Sequence, residues 1–334
     1  MSKVLNCQPN GDRIAPAVAA TLILVVALIA SPTTGVAQTP LQSWNDTQTR
    51  ARIIDFVTLV TTPGGPDFVP TEERIATFDM DGTVLTEKPV STQKIIAMLQ
   101  ACVIGTNEPK RNDQPPFKQA CAKDHNHFPG LAGGRTLRDL AVGQTQAAYR
   151  KYAGKALKLA RHPRSDRPLG EMVYTPMLEL ARYLQRNEFR FFIVSGSTQP
   201  LVREVTESRF HLPNQHGIGT EWPLEFDPNP KGVPVFRWIA GAAGSPSVYG
   251  PGKPLAILRQ IGHPPIFAAG NTIGDLEMLQ YATKHRGPGM GIVIVHDDAE
   301  REYAYTDPKI EAAARANDWS LVSMKKDFKT IFVD

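Results

Sequence analysis

Four short apolar runs, each stopped by polar or glycine-containing residues, constrain this chain more than any other feature. They are IATF at 75–78 before Asp79, FFIV at 191–194 before Ser195, IFAA at 266–269 before Gly270 and Asn271, and IVIV at 292–295 before His296, Asp297 and Asp298. Runs without polar alternation mark strands covered on both faces, and therefore a parallel sheet. Helical spacing recurs between them: Met177, Leu178, Leu180, Ala181 and Leu184 share one face within 176–186, and 276–282 repeats the pattern. Strand and helix in alternation predict an α/β fold with a doubly wound, Rossmann-like parallel sheet. Ligands bind such sheets beyond the carboxyl ends of the strands, so Asp79, Ser195 and Asn271 are expected to gather there.

Residues 87–173 interrupt the alternation after the first run. Helical patterns near 93–101 and 146–160 flank a passage rich in Pro, Asn and Lys at 107–119. This reads as an inserted, mostly helical cap on a core of residues 38–86 and 174–334. A helix at 49–60 and a loop at 61–70 lead into the first strand.

Residues 1–37 read as an export signal. Lys3 and Arg13 give a basic start, 15–30 is uncharged and largely apolar, and Gly35, Val36 and Ala37 offer small residues for cleavage after Ala37. The apolar run is shorter than the roughly 20 residues a spanning helix needs, so no stable membrane anchor is expected after cleavage. A periplasmic or secreted location follows. Cys102 and Cys121 then remain, as a bridge or as two buried thiols.

The formal charge of +4 drops to +3 once Lys3 and Arg13 leave against Asp12. So weak a balance gives nucleic-acid binding no support. From Arg150 to Arg167 seven Lys or Arg residues stand against Asp166 alone, which reads as a solvated helix face. His125 and His127 lack the companions of a transition-metal site and read as loop residues.

Asp79 and Asp81 set two repelling carboxylates one residue apart at the end of a buried strand. Asp79-Met80-Asp81-Gly82-Thr83 resembles the first motif of the haloacid dehalogenase superfamily, and in particular of its phosphatases. FIVSGS at 192–197 resembles the second motif, Lys253 in GKP is a candidate for the third, and AAGNTIGDLEML at 268–279 resembles the fourth. The position of the insertion is similar to the phosphoserine phosphatase-like branch. SWND at 43–46, DFVPTEERIATFD ending at Asp79, AEREYAYTD from Ala299 and MKKDFKTIF from Met324 look like exported hydrolases of that superfamily, over most of 41–334.

The resemblance implies that Asp79 attacks phosphorus to form an aspartyl phosphate, and that Asp81 protonates the leaving alcohol and then activates water. It implies phosphate contacts from Ser195, the Gly196 amide and Lys253. Ser197 competes with Ser195, and Lys231 and Lys284 are weaker candidates for the lysine. It further implies Mg²⁺ held by Asp79, Asp81 through its main-chain carbonyl, and Asn271 or Asp275. Asn271 stands where the superfamily commonly has an aspartate, which weakens the charge available to the metal. Glu87 lies near the place of a cap glutamate that binds substrate amines, and that specificity is not carried over. His296, Asp297 and Asp298 follow a strand and either border the cleft or serve as turn and capping residues, and they are left outside the site.

The expected activity is hydrolysis of a small phosphorylated metabolite. Phosphomutase-type transfer is an alternative, and so is a noncatalytic exported binding protein of the same fold.

Overall fold

The computed structural model describes residues 40–128, 139–228, 231–240 and 247–332. The predicted signal and its cleavage point lie outside them. Among the described residues no helix is long and apolar enough to cross a membrane.

Helix α1, Gln48–Thr61, starts where the Thr47 hydroxyl accepts from the Arg50 amide, and it leads into β1, Ile75–Phe78. The segment after β1 carries α2 (Thr92–Asn107), α3 (Phe117–Cys121) and α4 (Gln146–Leu159). Alternation then resumes. Helix α5 (Thr175–Arg186) precedes β2 (Arg190–Thr198), and α6 (Gln199–Phe210) precedes β3 (Gly217–Thr220). A hairpin of β4 (Leu224–Pro228) and β5 (Pro234–Trp238) comes next. Then follow α7 (Gly252–Ile261), β6 (Phe267–Gly270), α8 (Leu276–Thr283), β7 (Met290–Val295), α9 (Pro308–Ala316) and β8 (Ser320–Ser323).

Six strands form one parallel sheet in the order β3-β2-β1-β6-β7-β8. This is the expected doubly wound fold. The chain leaves β1 toward β2 and β3, then returns to build β6, β7 and β8 on its other side. The reversal of direction therefore lies between β1 and β6, and that is where a crevice opens in such sheets. Phe78 fills the buried layer beside it, edge-on to Phe191 with ring centres 4.8 Å apart and 5.7 Å from Phe267.

The four apolar runs are four of the six strands. The other two, β3 and β8, are the short edge strands, and GIGT and SLVS carry too few apolar residues to announce themselves. The β4–β5 hairpin was also unforeseen. It lies in sequence among residues expected to be core, yet it packs on the helical segment. The Trp238 amide donates to Gln144 O at 3.0 Å, the Gly143 amide donates to Trp238 O at 2.9 Å, and the Trp238 ring meets Tyr149 edge-on at 5.0 Å. Cys102 in α2 and Cys121 in α3 form a disulfide, which decides between the two readings of that pair.

Candidate active site

Asp79 is the first residue past β1, and its amide donates to Ala269 O on β6 at 2.9 Å. The carboxylate is thereby delivered to the reversal point by main-chain pairing alone. Its own side chain is nearly buried.

Lys253 enters from the first turn of α7. Its ammonium lies 2.5 Å from Asp79 Oδ1 and 2.6 Å from Asp275 Oδ1, and it also donates to Val194 O at 3.0 Å. The three acceptors lie just past β1, within β2 and in the turn after β6, so one cation ties the second, third and fourth motifs to the first. Burial opposes charge on Lys253, but the two carboxylates outweigh it and hold the ammonium protonated well above the usual range. Burial likewise pushes Asp79 up, against the pull of Lys253. Lys231 and Lys284, the weaker candidates, are exposed.

Asp275 is consumed by its neighbours. Its Oδ2 accepts from the amides of Asn271 at 2.9 Å and Thr272 at 3.0 Å, while Oδ1 faces Lys253. The Thr272 hydroxyl completes a capping box at the start of this turn. Asp275 therefore braces both the fourth-motif loop and the lysine.

Asp81 points elsewhere. Its Oδ2 accepts from the Ser197 hydroxyl at 3.1 Å, and burial, followed by the charge of Glu87, pushes its carboxyl up to about 7. A carboxyl that titrates near neutrality can both give and take a proton. Two residues from Asp79, it occupies an environment with no ammonium in direct contact. The two aspartates are thus made chemically different by what surrounds them.

Gly82 is required between these motifs. Its φ is +79°, and a Cβ there would lie 2.0 Å from Asn271 Nδ2. Asn271 accepts from the Thr83 hydroxyl at 3.2 Å through Oδ1, and its Nδ2 donates to Glu87 Oε1 at 3.1 Å. Glu87 thus meets the core at Asn271 and acts electrostatically on Asp81. Sequence reasoning had set Glu87 aside. Its spacing from the first motif was the available signal.

Ser195 is buried at the end of β2, and its Oγ accepts from the Ser197 amide at 3.1 Å. The two serines are therefore divided, with Ser197 bonded to Asp81 and Ser195 bonded to the Ser197 amide. Gly196 is exposed, and its carbonyl accepts from Thr220 at 2.9 Å. His127 pairs with Asp124 at 2.8 Å in an exposed loop, and Arg150 pairs with Glu204 and Glu207 on α6. Neither belongs to the site.

Among the described residues no group of three or more His, Cys, Asp or Glu side chains is arranged to hold a metal. Asp275 spends Oδ1 on Lys253 and Oδ2 on two amides. What remains is a set of oxygen donors: Asp79, the main chain of Asp81, and the Asn271 amide. That chemistry fits Mg²⁺, which takes hard oxygen ligands and keeps several waters.

A family model for haloacid dehalogenase-like hydrolases matches residues 76–280, which span β1 through α8 and all four motifs. The chain belongs to this family. Comparison with curated proteins finds no match for the hydrolase. Among solved structures it is similar to a conserved functionally unknown protein from Anaerococcus prevotii DSM 20548. Identity is 12%, the TM-score is 0.53, and the match covers 86% of this chain and 97% of the other. It also matches a protein of unknown function from Bordetella pertussis Tohama I at 14% identity and TM-score 0.47, over 75% and 98% of the two chains. A phosphoserine phosphohydrolase-like protein from Francisella tularensis subsp. tularensis SCHU S4 matches at 15% identity and TM-score 0.37, over 73% and 98%. The first of these supports the fold of the hydrolase.

Proposed function

We propose that this hydrolase is an exported, Mg²⁺-dependent phosphatase that releases phosphate from a small phosphorylated metabolite through an aspartyl phosphate on Asp79. The observation that carries the reading is the contrast between two aspartates two positions apart. Asp79 is held by a buried ammonium, and Asp81 rests on a serine hydroxyl with its carboxyl near neutrality. A nucleophile must be ionised and an acid must hold a proton; Lys253 favours the ionised form of Asp79 against the burial that raises it, while Asp81 has a hydroxyl in place of a cation beside it.

In the first step an Asp79 oxygen bonds to phosphorus and the ester oxygen departs with the proton of Asp81. In the second, Asp81 takes a proton from water, whose oxygen bonds to phosphorus as the bond to Asp79 breaks. Inorganic phosphate leaves, and both aspartates return to their starting states. Lys253 offsets the charge that gathers on Asp79, and Ser195 with the Gly196 amide faces the phosphoryl oxygens. Asp79, the main-chain carbonyl of Asp81 and Asn271 would hold Mg²⁺, with Asp275 bracing Asn271. The ion would neutralise the phosphoryl oxygens as the ester approaches a carboxylate.

The segment 87–173 is the proposed cap. Residues of the core address only the phosphoryl group, so selectivity for the leaving group falls to that segment and to Glu87. The disulfide between Cys102 and Cys121 supports export, because such bonds persist in oxidising compartments. The signal at 1–37 supports it independently.

A phosphate-release screen over phosphorylated metabolites, with and without Mg²⁺, tests the proposal. Release that depends on Mg²⁺ and stops in Asp79→Asn is the expected result. Chelator-resistant release, or none from any ester, overturns it. Transfer to a second alcohol without free phosphate would instead identify a phosphotransferase.

A further inference from the structure

One buried polar cluster behind the site has no part in the chemistry above. His296 follows β7, and its Nε2 lies 2.8 Å from the Gly82 carbonyl, 214 positions away in the chain. A carbonyl oxygen can only accept, so Nε2 carries the proton and donates. Gly82 is the positive-φ residue of the turn that directly follows Asp81. The other face of that turn is closed by the Gly82 amide, which donates to Leu85 O at 2.6 Å.

The imidazole itself is fixed on three sides. It stacks on Tyr305, with ring centres 4.1 Å apart and planes at 19°. The Tyr305 amide donates to His296 O at 2.9 Å, so main chain and rings are paired together. Glu302 Oε2 stands 3.4 Å from Nδ1, and Arg164 holds the carbonyls of Glu302, Ala299 and Glu300 at 2.6, 2.8 and 2.9 Å. His296 and Glu302 are both buried. The Tyr305 hydroxyl also reaches Asn271 Nδ2 at 3.4 Å. One stacked pair therefore touches the turn of the first motif and the loop of the fourth.

We propose that His296, stacked on Tyr305, is a positioning residue that holds the Asp81–Gly82 turn so that Asp81 can deliver its proton to the leaving oxygen. This rests on the phosphatase reading above. Without the imidazole donor, the Gly82 carbonyl is left buried and unpaired and the turn relaxes. Small displacements matter, since misplacement by about 1 Å can cost about 100-fold in rate.

The test separates positioning of the acid from general support of the fold. An alkyl phosphate needs its leaving oxygen protonated, whereas p-nitrophenolate leaves without help. Values of kcat/KM, which report the steps through phosphoryl transfer to Asp79, are compared for both esters in wild type, His296→Phe and His296→Gln. The Phe variant keeps a ring on Tyr305 and removes the donor. It is expected to lose about 10- to 100-fold on the alkyl ester, within the range of general-acid effects, and less than about threefold on p-nitrophenyl phosphate. The Gln variant keeps an N–H near the place of Nε2 and is expected to recover most of the alkyl activity. If the Phe variant does not fold, Tyr305→Leu removes the stack while keeping the donor, and it should show the same selective loss in smaller measure.

Equal losses on the two esters, or a Gln variant no better than Phe, would overturn the positioning role and leave the phosphatase reading standing. A folded wild type that hydrolyses neither ester overturns both.

Discussion

The ends of β1 and β6 and the helical segment 87–173 are built on different principles. At the strand ends buried charges face one another, with Lys253 locked between Asp79 and Asp275 and its ammonium bonded to three acceptors. Among its described residues the helical segment has no such knot of buried charges. It is held by apolar faces, by the disulfide between α2 and α3, and by the downstream β4–β5 hairpin, whose Arg237 bridges Thr145. The difference teaches where specificity can change. Chemistry tied to strand ends tolerates little movement, while a helical layer joined by packing can be re-sculpted around a new leaving group.

The contrast can be broken at several points. Asp79→Asn should abolish phosphate release, by about 1,000-fold or more as for other nucleophile deletions, while circular dichroism still reports the native fold. Removal of Mg²⁺ by a chelator should suppress release almost as deeply and reversibly, with the rate recovering on re-addition. An irreversible loss would point instead to a metal needed for folding.

Lys253→Ala should strike stability as well as rate. It strands two buried carboxylates, and breaking such a pair costs about 3–5 kcal/mol, readable as a shift of the urea unfolding midpoint. The double variant Cys102→Ser with Cys121→Ser should cost about 3 kcal/mol on the chain-entropy account, yet leave turnover of p-nitrophenyl phosphate nearly intact. If both variants abolish turnover equally, the two regions are less separate than their construction suggests.

The smallest expected effect is on pH. A general acid must carry its proton, so kcat/KM should fall as pH rises through the Asp81 pKa, which burial first and Glu87 second raise to about 7. Glu87→Gln removes the second cause. The alkaline limb of the profile should then move to lower pH, whereas movement to higher pH would exclude Glu87 as the source of the shift.

Much of the core was legible because central parallel strands are covered on both faces, and continuous apolar runs such as IATF and IVIV have no other ready home. The edge strands β3 and β8 escaped because GIGT and SLVS carry too few apolar residues to form a continuous run. Asp79, Asp81, Ser195, Lys253, Asn271 and Asp275 could each be named, since the motifs stand in fixed order along the chain. Which oxygen each would face could not. That Asp275 spends both oxygens on Lys253 and two amides is a product of the turn at Thr272. His296 was noticed only as a residue after the IVIV strand and left outside the site, because its partner Gly82 is distant in sequence and turn roles explain a histidine there equally well.

By itself the amino-acid order determined the alternation of strand and helix, and with it the end of the sheet at which the polar residues would meet. Local periodicity suffices for that, because burial on two faces imposes its own pattern. Only the folded chain decided that Asp79 meets an ammonium while Asp81 meets a hydroxyl, that a histidine from far downstream meets the Gly82 carbonyl, and that a hairpin packs on the helical segment. Those outcomes depend on distances of a few ångströms between segments brought together by packing, and no local pattern encodes them.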